Sequence, residues 1–259
     1  LIVAGGANFP KPYWGEDKVW YDDIWVFEKS GNWTLGGSLM RPLGYGASLS
    51  LPQGVLCIGG NDAERTYDDV FLLKWNPNTG TVQQENLPNL PTTIAYTMAA
   101  TLANKVYIMG GTVTNALSSA INKIWILDME NPADGWEEKA GWPGPERGFQ
   151  VVTTQNNGYE DRIFLFSGRR EKENGEIEFL KDAYSYSPSS DSWSRIADSP
   201  ECMMAGEAIP VGENHIFVVG GADGSLFHKA DDLKDEHPGF PKRAWAYNTL
   251  TDTWQDGGA

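Results

Sequence analysis

Leu1-Ile-Val-Ala-Gly5-Gly6, Val55-Leu-Cys-Ile-Gly59-Gly60, Val106-Tyr-Ile-Met-Gly110-Gly111, Ile163-Phe-Leu-Phe-Ser167-Gly168 and Ile216-Phe-Val-Val-Gly220-Gly221 share one pattern. Each is four apolar residues followed by Gly-Gly or, once, by Ser-Gly. Their starts at residues 1, 55, 106, 163 and 216 are spaced by 54, 51, 57 and 53 residues. Runs this short and β-rich suit strands buried on both faces. The glycines permit a sharp turn at positive φ where a Cβ would clash.

A period near 50 residues with double glycine after an apolar strand is the kelch signature. It predicts an all-β, kelch-type β-propeller with about five repeats, near 1–54, 55–105, 106–162, 163–215 and 216–259, in a single domain. A blade has inner, second, third and outer strands, and the glycine-ended run is the second. Third strands are predicted at Asp22–Phe27, Asp69–Trp75, Lys123–Asp128, Asp182–Tyr186 and Arg243–Tyr247. Trp33, Trp136, Trp193 and Trp254 mark outer strands, with Val82 at that place in repeat two. One Trp per repeat at fixed phase points to packing between blades more than to a carbohydrate platform. The loops from second to third strands, near 7–21, 61–68, 112–122, 169–181 and 222–242, are long and share one rim. Long loops on a rigid scaffold are where function is expected.

The composition narrows the partners. Among 259 residues the net charge is -15, which argues against nucleic acid and anionic membrane surfaces. No apolar run approaches the roughly 18 residues of a membrane span. Cys57 and Cys202 make no disulfide framework, and Cys57 falls inside a predicted core strand. With only His215, His228 and His237 as histidines, a metal site is not expected. The chain opens inside a strand and closes just past an outer tryptophan. The repeat phase therefore predicts a domain truncated at both ends.

Residues just past the glycine pairs or at inner-strand starts form the candidate site. They are Asn8, Arg41, Tyr45, Asn61, Asp62, Glu146, Arg147, Arg169, Arg170, Glu207 and Asp223, with Thr112 beside them. An arginine fork suits a carboxylate ligand. The alternative is that these charges cap loops and pair with one another.

Ala7-Asn8-Phe9-Pro10 after the first glycine pair resembles the hallmark of the bacterial sialic-acid mutarotases, the N-acetylneuraminate epimerases. Arg41-Pro-Leu-Gly-Tyr45-Gly46 resembles their Arg-x-Tyr-Gly stretch, with looser spacing. Phe166-Ser-Gly-Arg169, His237-Pro-Gly-Phe-Pro241 and Thr249–Trp254 are similar to a cyclically permuted branch of that family. The resemblance implies a six-bladed, cofactor-free propeller, periplasmic or secreted, acting on a small acidic sugar. A base would take the anomeric hydroxyl proton while an acid protonates the ring oxygen. It also implies a Glu directly after a second-strand Ser-Gly or Asn-Gly, with Arg six residues later. Here Arg169 follows Ser167-Gly168, and the sixth residue beyond is Gly175, so the catalytic pair is expected past Ala259. Glu146 and Glu207 are the acid/base candidates within the chain; Asn8, Arg41, Tyr45, Asn61, Asp62, Arg147, Arg169 and Asp223 are the substrate-binding ones. The open faces of an incomplete ring predict a homodimer or a rearrangement. The alternative function is a non-catalytic kelch propeller binding glycan or protein, or an inactive fragment without the catalytic blade.

Overall fold

The computed structural model describes residues 1–11, 15–29 and 31–258. It is all-β and of the propeller type that the repeats predict, built from small antiparallel sheets in chain order. The first sheet has three strands, Ile2–Ala4, Asp23–Phe27 and Trp33–Ser38. The second has Ala47–Leu51, Gly54–Ile58, Val70–Asn76 and Thr81–Asn86. The third has Met98–Leu102, Lys105–Met109, Lys123–Asp128 and Trp136–Ala140. The fourth has Val151–Asn156, Asp161–Phe166, Ala183–Ser187 and Ser192–Ile196. The fifth has Glu207–Val211, His215–Val219, Ala244–Asn248 and Thr253–Gly258. No helix among the described residues is long and apolar enough to cross a membrane.

The contacts divide into two compact units. One holds Leu1–Tyr96, Val113–Asn115 and Asn131–Trp136; the other holds Thr97–Thr112, Ala116–Glu130 and Glu137–Ala259. Each has its own core, made where successive sheets lay apolar faces together. In the first unit Ile24, Leu39, Leu43, Tyr67, Phe71 and Leu73 are buried, with half-buried Cys57 against them. Burial pushes the Cys57 thiol up to about 12, as for a small hydrophobe. In the second unit one cluster gathers Met109, Ile124, Val152, Leu165, Tyr184 and Tyr186. Another gathers Val151, Phe166, Met203, Val218 and Tyr247. The outer tryptophans close these seams through polar tips. Trp193 Nε1 donates to Ala140 O at 3.0 Å and Trp254 Nε1 to Ala197 O at 3.1 Å. In the first unit Trp136 Nε1 donates to Pro88 O at 2.9 Å. Val82 takes the outer place in repeat two, opposite Trp75. On the first sheet Val3, Trp25 and Leu35 line up across the strands and remain exposed, with Phe27 and Trp33 beside them.

In the first three repeats the glycine pairs tie the sheet to the loop ahead of it. In repeat two the Gly59 N–H bonds to Asp69 O at 2.8 Å, the approach to the third strand. The Gly60 N–H bonds to Ile94 O at 2.8 Å, and Gly60 O accepts from Tyr67 N. Gly5 and Gly6 bond likewise to Asp23 O and Leu43 O, and Gly110 and Gly111 to Lys123 O and Arg147 O. In repeat four Ser167 takes the first glycine's place at φ 59. Its hydroxyl donates to Leu180 O and accepts from Met203 N at 2.7 Å, so a side chain makes the link.

Two of the long loops carry paired strands of their own, which the sequence pattern does not predict. Ala7–Asn8 pairs with Val19–Trp20, and Arg169–Glu171 with Ile177–Phe179. Reciprocal bridges join Gly44 to Asn61 and Gly148 to Arg169. The post-glycine residues are thus pinned by backbone bonds before any side chain acts.

Gly59 lies at φ +60, and a Cβ there would sit 2.4 Å from Ile94 O. Gly80, at φ +66, has open space around that position. Gly59→Ala is expected to cost about 3 kcal/mol or more, and Gly80→Ala only the ~1–2 kcal/mol left-handed penalty. Urea unfolding of both variants checks this; equal losses would remove the close approach as the reason for the glycine.

Candidate functional site

In the first unit the glycine turn of repeat two delivers Asn61, which is fully buried. A buried amide must find partners for its donors and acceptor. Asn61 Nδ2 donates to Tyr96 Oη and to Asn115 Oδ1, both at 3.0 Å, and its Oδ1 accepts from Trp20 Nε1 at 3.2 Å. One side chain thereby holds residues from three loops. Tyr45 and Tyr96 flank it at φ 58 and 52, a backbone conformation that bulky residues rarely adopt. Their rings lie 5.0 Å apart, and Trp20 meets Tyr45 edge-on at 6.4 Å. Lys18 Nζ donates to Tyr45 Oη at 2.7 Å and stands 5.2, 5.8 and 5.0 Å from the ring centroids of Phe9, Trp20 and Tyr45. Exposed Asn8 accepts the Phe9 N–H on its Oδ1 and so shapes the turn that presents Phe9.

Asp62 and Arg41 do different work. Asp62 accepts from the N–H groups of Glu64 and Arg65 and from the Tyr67 hydroxyl. Partial burial would raise its carboxyl, but those hydrogen bonds outweigh it and hold it below the usual range. It caps its own turn. Arg41 pairs with Asp69 and stacks on the Tyr67 ring at 4.4 Å.

In the second unit Arg169 lies with its guanidinium 4.3 Å from the Phe149 ring and 4.9 Å from that of Phe227. Phe149 sits at φ 61. Glu146 meets Arg170 Nη1 at 3.4 Å, and Arg170 Nε meets Glu178 at 2.6 Å. Asp223 accepts from the N–H and hydroxyl of Ser225, which hold its carboxyl below the usual range. A cavity of about 900 Å³ opens beside Asp223, lined also by Met204, Phe227, His228, His237 and Phe240. Glu207 opens the inner strand of repeat five; its residue surface is exposed, yet packing around the carboxyl raises it above the ordinary range.

Arg147 is fully buried. Its Nη1 and Nη2 reach the two Asp182 oxygens at 2.9 and 2.6 Å, and Nη1 also reaches Ser167 O at 2.9 Å. The fork therefore knits the turn at Ser167 to the third strand. The candidate residues thus form two separate clusters, Asn61–Lys18 in one unit and Arg169–Phe149 in the other.

Sequence reasoning missed Lys18, Trp20, Tyr96, Phe149, Asp182 and Phe227 in these roles. A signal existed for two of them. Tyr45, Tyr96, Phe149 and Ala205 each stand two residues before an inner strand and share positive φ. That phase is legible once strand starts are known. Lys18 and Phe227 lie in long loops whose path has no period.

Burial would raise the Asp182 carboxyl, but Arg147, with help from the Tyr184 hydroxyl, holds it below the usual range. A depressed folded-state pKa adds stability that is full above the unfolded value and is lost as pH falls through the folded one. Asp182→Asn, which strands a buried guanidinium, is expected to cost about 3–5 kcal/mol near neutrality. The gap to wild type should stay level above pH ~5 and shrink below pH ~4, the unfolded carboxyl's range. Denaturant titrations across pH check this; a gap that widens in acid would refute it.

A family model described as N-acetylneuraminate epimerase matches residues 87–238, more than half of the chain. The N-acetylneuraminate epimerase of Haemophilus influenzae (strain PittEE) is 27% identical over 151 residues, 58% of this chain and 37% of that one. That of Brucella suis is 29% identical over 171 residues, 64% of this chain and 41% of the other. That of Vibrio cholerae is 35% identical over 91 residues, 30% of this chain and 23% of the other. The chain spans under half the length of these relatives where it matches them. With its glycine-paired blades and the match across residues 87–238, the chain belongs to the N-acetylneuraminate epimerase family.

Proposed function

We propose that this chain takes part in sugar mutarotation, speeding exchange between the α and β anomers of N-acetylneuraminate or a related acidic sugar. The observation that carries the proposal is the family membership across residues 87–238. The clusters at the loop edge support it, because they combine aromatic faces with cationic and amide donors, the groups a polyhydroxylated acid needs. The five repeats are read as parts of one propeller domain, acting without a cofactor in the periplasm or outside the cell. A homodimer is the proposed cover for the exposed Val3, Trp25 and Leu35 face.

Ring opening needs a base at the anomeric hydroxyl and an acid at the ring oxygen. General acid–base catalysis works best when the group's pKa lies near the working pH. Glu207, which is exposed, forms no ion pair among the described residues and has its carboxyl raised by the packing around it, suits that need better than Glu146, which is paired with Arg170. Within the second unit Arg169 is assigned to sugar hydroxyl oxygens; within the first unit Asn8 and Tyr45, with Asn61 behind them, are assigned to sugar contact. A second reading, binding of a glycan or protein without catalysis, is favoured by one fact: no Glu in the sequence is followed by Arg six residues later.

NMR of freshly released α-N-acetylneuraminate, with and without the chain, separates the two. Acceleration at catalytic protein levels is expected, and Glu207→Gln should lower it by about 10²-fold or more. A folded chain that the sugar protects against heat but that leaves the exchange rate unchanged would sink the catalytic reading and leave the binding one.

A further inference from the structure

We infer that Lys18 is the carboxylate-recognising residue of the first unit, set in an aromatic cage that takes an acidic pyranose acid-end first. The inference rests on the acidic-sugar reading above. It replaces the expectation that an arginine does this work.

Three observations carry it. First, three of the four candidate arginines have carboxylates already. Arg41 is paired with Asp69, and in the other unit Arg147 is paired with Asp182 and Arg170 with Glu178. A guanidinium that already holds its counter-ion gains little from a second one. Second, Lys18 forms no ion pair with any described carboxylate. Lys18 is half-buried as a residue, and its ammonium carries three donors, of which one goes to Tyr45 Oη at 2.7 Å. Phe9, Trp20 and Tyr45 surround it within 5.8 Å. Ring faces stabilise a cation, but they accept no directed hydrogen bonds as a carboxylate does. An ammonium set among apolar rings with donors to spare is a place where a bound carboxylate gains.

Third, the cage is built and held. Trp20 is fixed by its indole bond to buried Asn61, which also holds Tyr96. Tyr45 and Tyr96 keep positive φ, and Tyr96 N donates to Tyr45 O at 2.8 Å. Strained backbone persists where its surroundings over-determine it, and such positions gather at ligand sites. The rings offer flat apolar surface to the C–H faces of a pyranose, while Lys18 and the Tyr45 hydroxyl present polar atoms beside them. Tyr45 Oη accepts from Lys18, so its own proton remains to donate to the same carboxylate.

The test is binding of N-acetylneuraminate and of its methyl ester to the intact 259-residue chain, by titration calorimetry or ligand-detected NMR. Wild type is expected to prefer the acid. Lys18→Met, which keeps the apolar stem, should weaken the acid by about 10- to 100-fold, the worth of a charge-assisted bond, and leave the ester unchanged. Lys18→Arg should retain the preference, which guards against a merely structural effect of the Met variant. If Lys18→Met keeps the wild-type preference for the acid, the inference falls while the acidic-sugar reading stands. If wild type binds acid and ester equally, Lys18 is not a carboxylate site, and anomer exchange still decides the reaction. If wild type binds neither, both fall.

Discussion

The hydrogen bonds of the glycine turns hold this structure in phase. At the first three turns the first glycine reaches back to the approach of its own third strand and the second reaches forward to the segment before an inner strand, as Gly59 and Gly60 do toward Asp69 and Ile94. Both bonds need a backbone at positive φ that comes within touching distance of a carbonyl. A Cβ at Gly5 would lie 2.3 Å from Leu43 O, and one at Gly59 2.4 Å from Ile94 O. Sheets joined this way have little freedom to slide, so their apolar faces meet in register. Ser167 shows how the rule bends. It accepts the left-handed conformation and restores the forward link with its hydroxyl, buried against Met203 N and Leu180 O.

The same turns create the places where chemistry can gather. The residue after each pair is pinned by backbone bonds, so its side chain is presented from a fixed base. In repeat two that side chain is a buried amide which organises Trp20, Tyr96 and Asn115. In repeat four it is Arg169, stacked by Phe149 and Phe227. Aromatic residues in the left-handed region stand at the matching phase in three repeats, a costly backbone choice that tight turns with glycine would avoid.

Charged residues that look alike in sequence divide into structural and available ones. Asp62 and Asp223 cap their own turns, Arg41 and Arg147 are matched to aspartates, and Glu146 is drawn to Arg170. Lys18 stands apart because aromatic rings surround it where Arg41 and Arg147 have carboxylates. An acidic chain of net charge -15 repels anions at long range, so the proposed acidic sugar would have to be recognised locally.

The blade strands, their repeat and the all-β propeller class are legible in the amino-acid sequence alone, while the paired strands inside two of the long loops are not. The legible properties depend on periodicity, on short apolar runs, and on glycines whose need for positive φ is local. The sequence also determined where the long loops fall and that tryptophans mark the seams; Trp193 and Trp254 hydrogen-bond across them as packing elements. What only the tertiary structure decided is which polar residues are consumed in holding the fold. Asp182 lies 35 residues from Arg147, and Asn115 lies 54 from Asn61, so no local pattern links them. Lys18 sits in a loop without period, and its cage closes only when Tyr45, 27 residues away, reaches it. Pairing over such distances is settled by packing geometry, which a linear pattern does not encode.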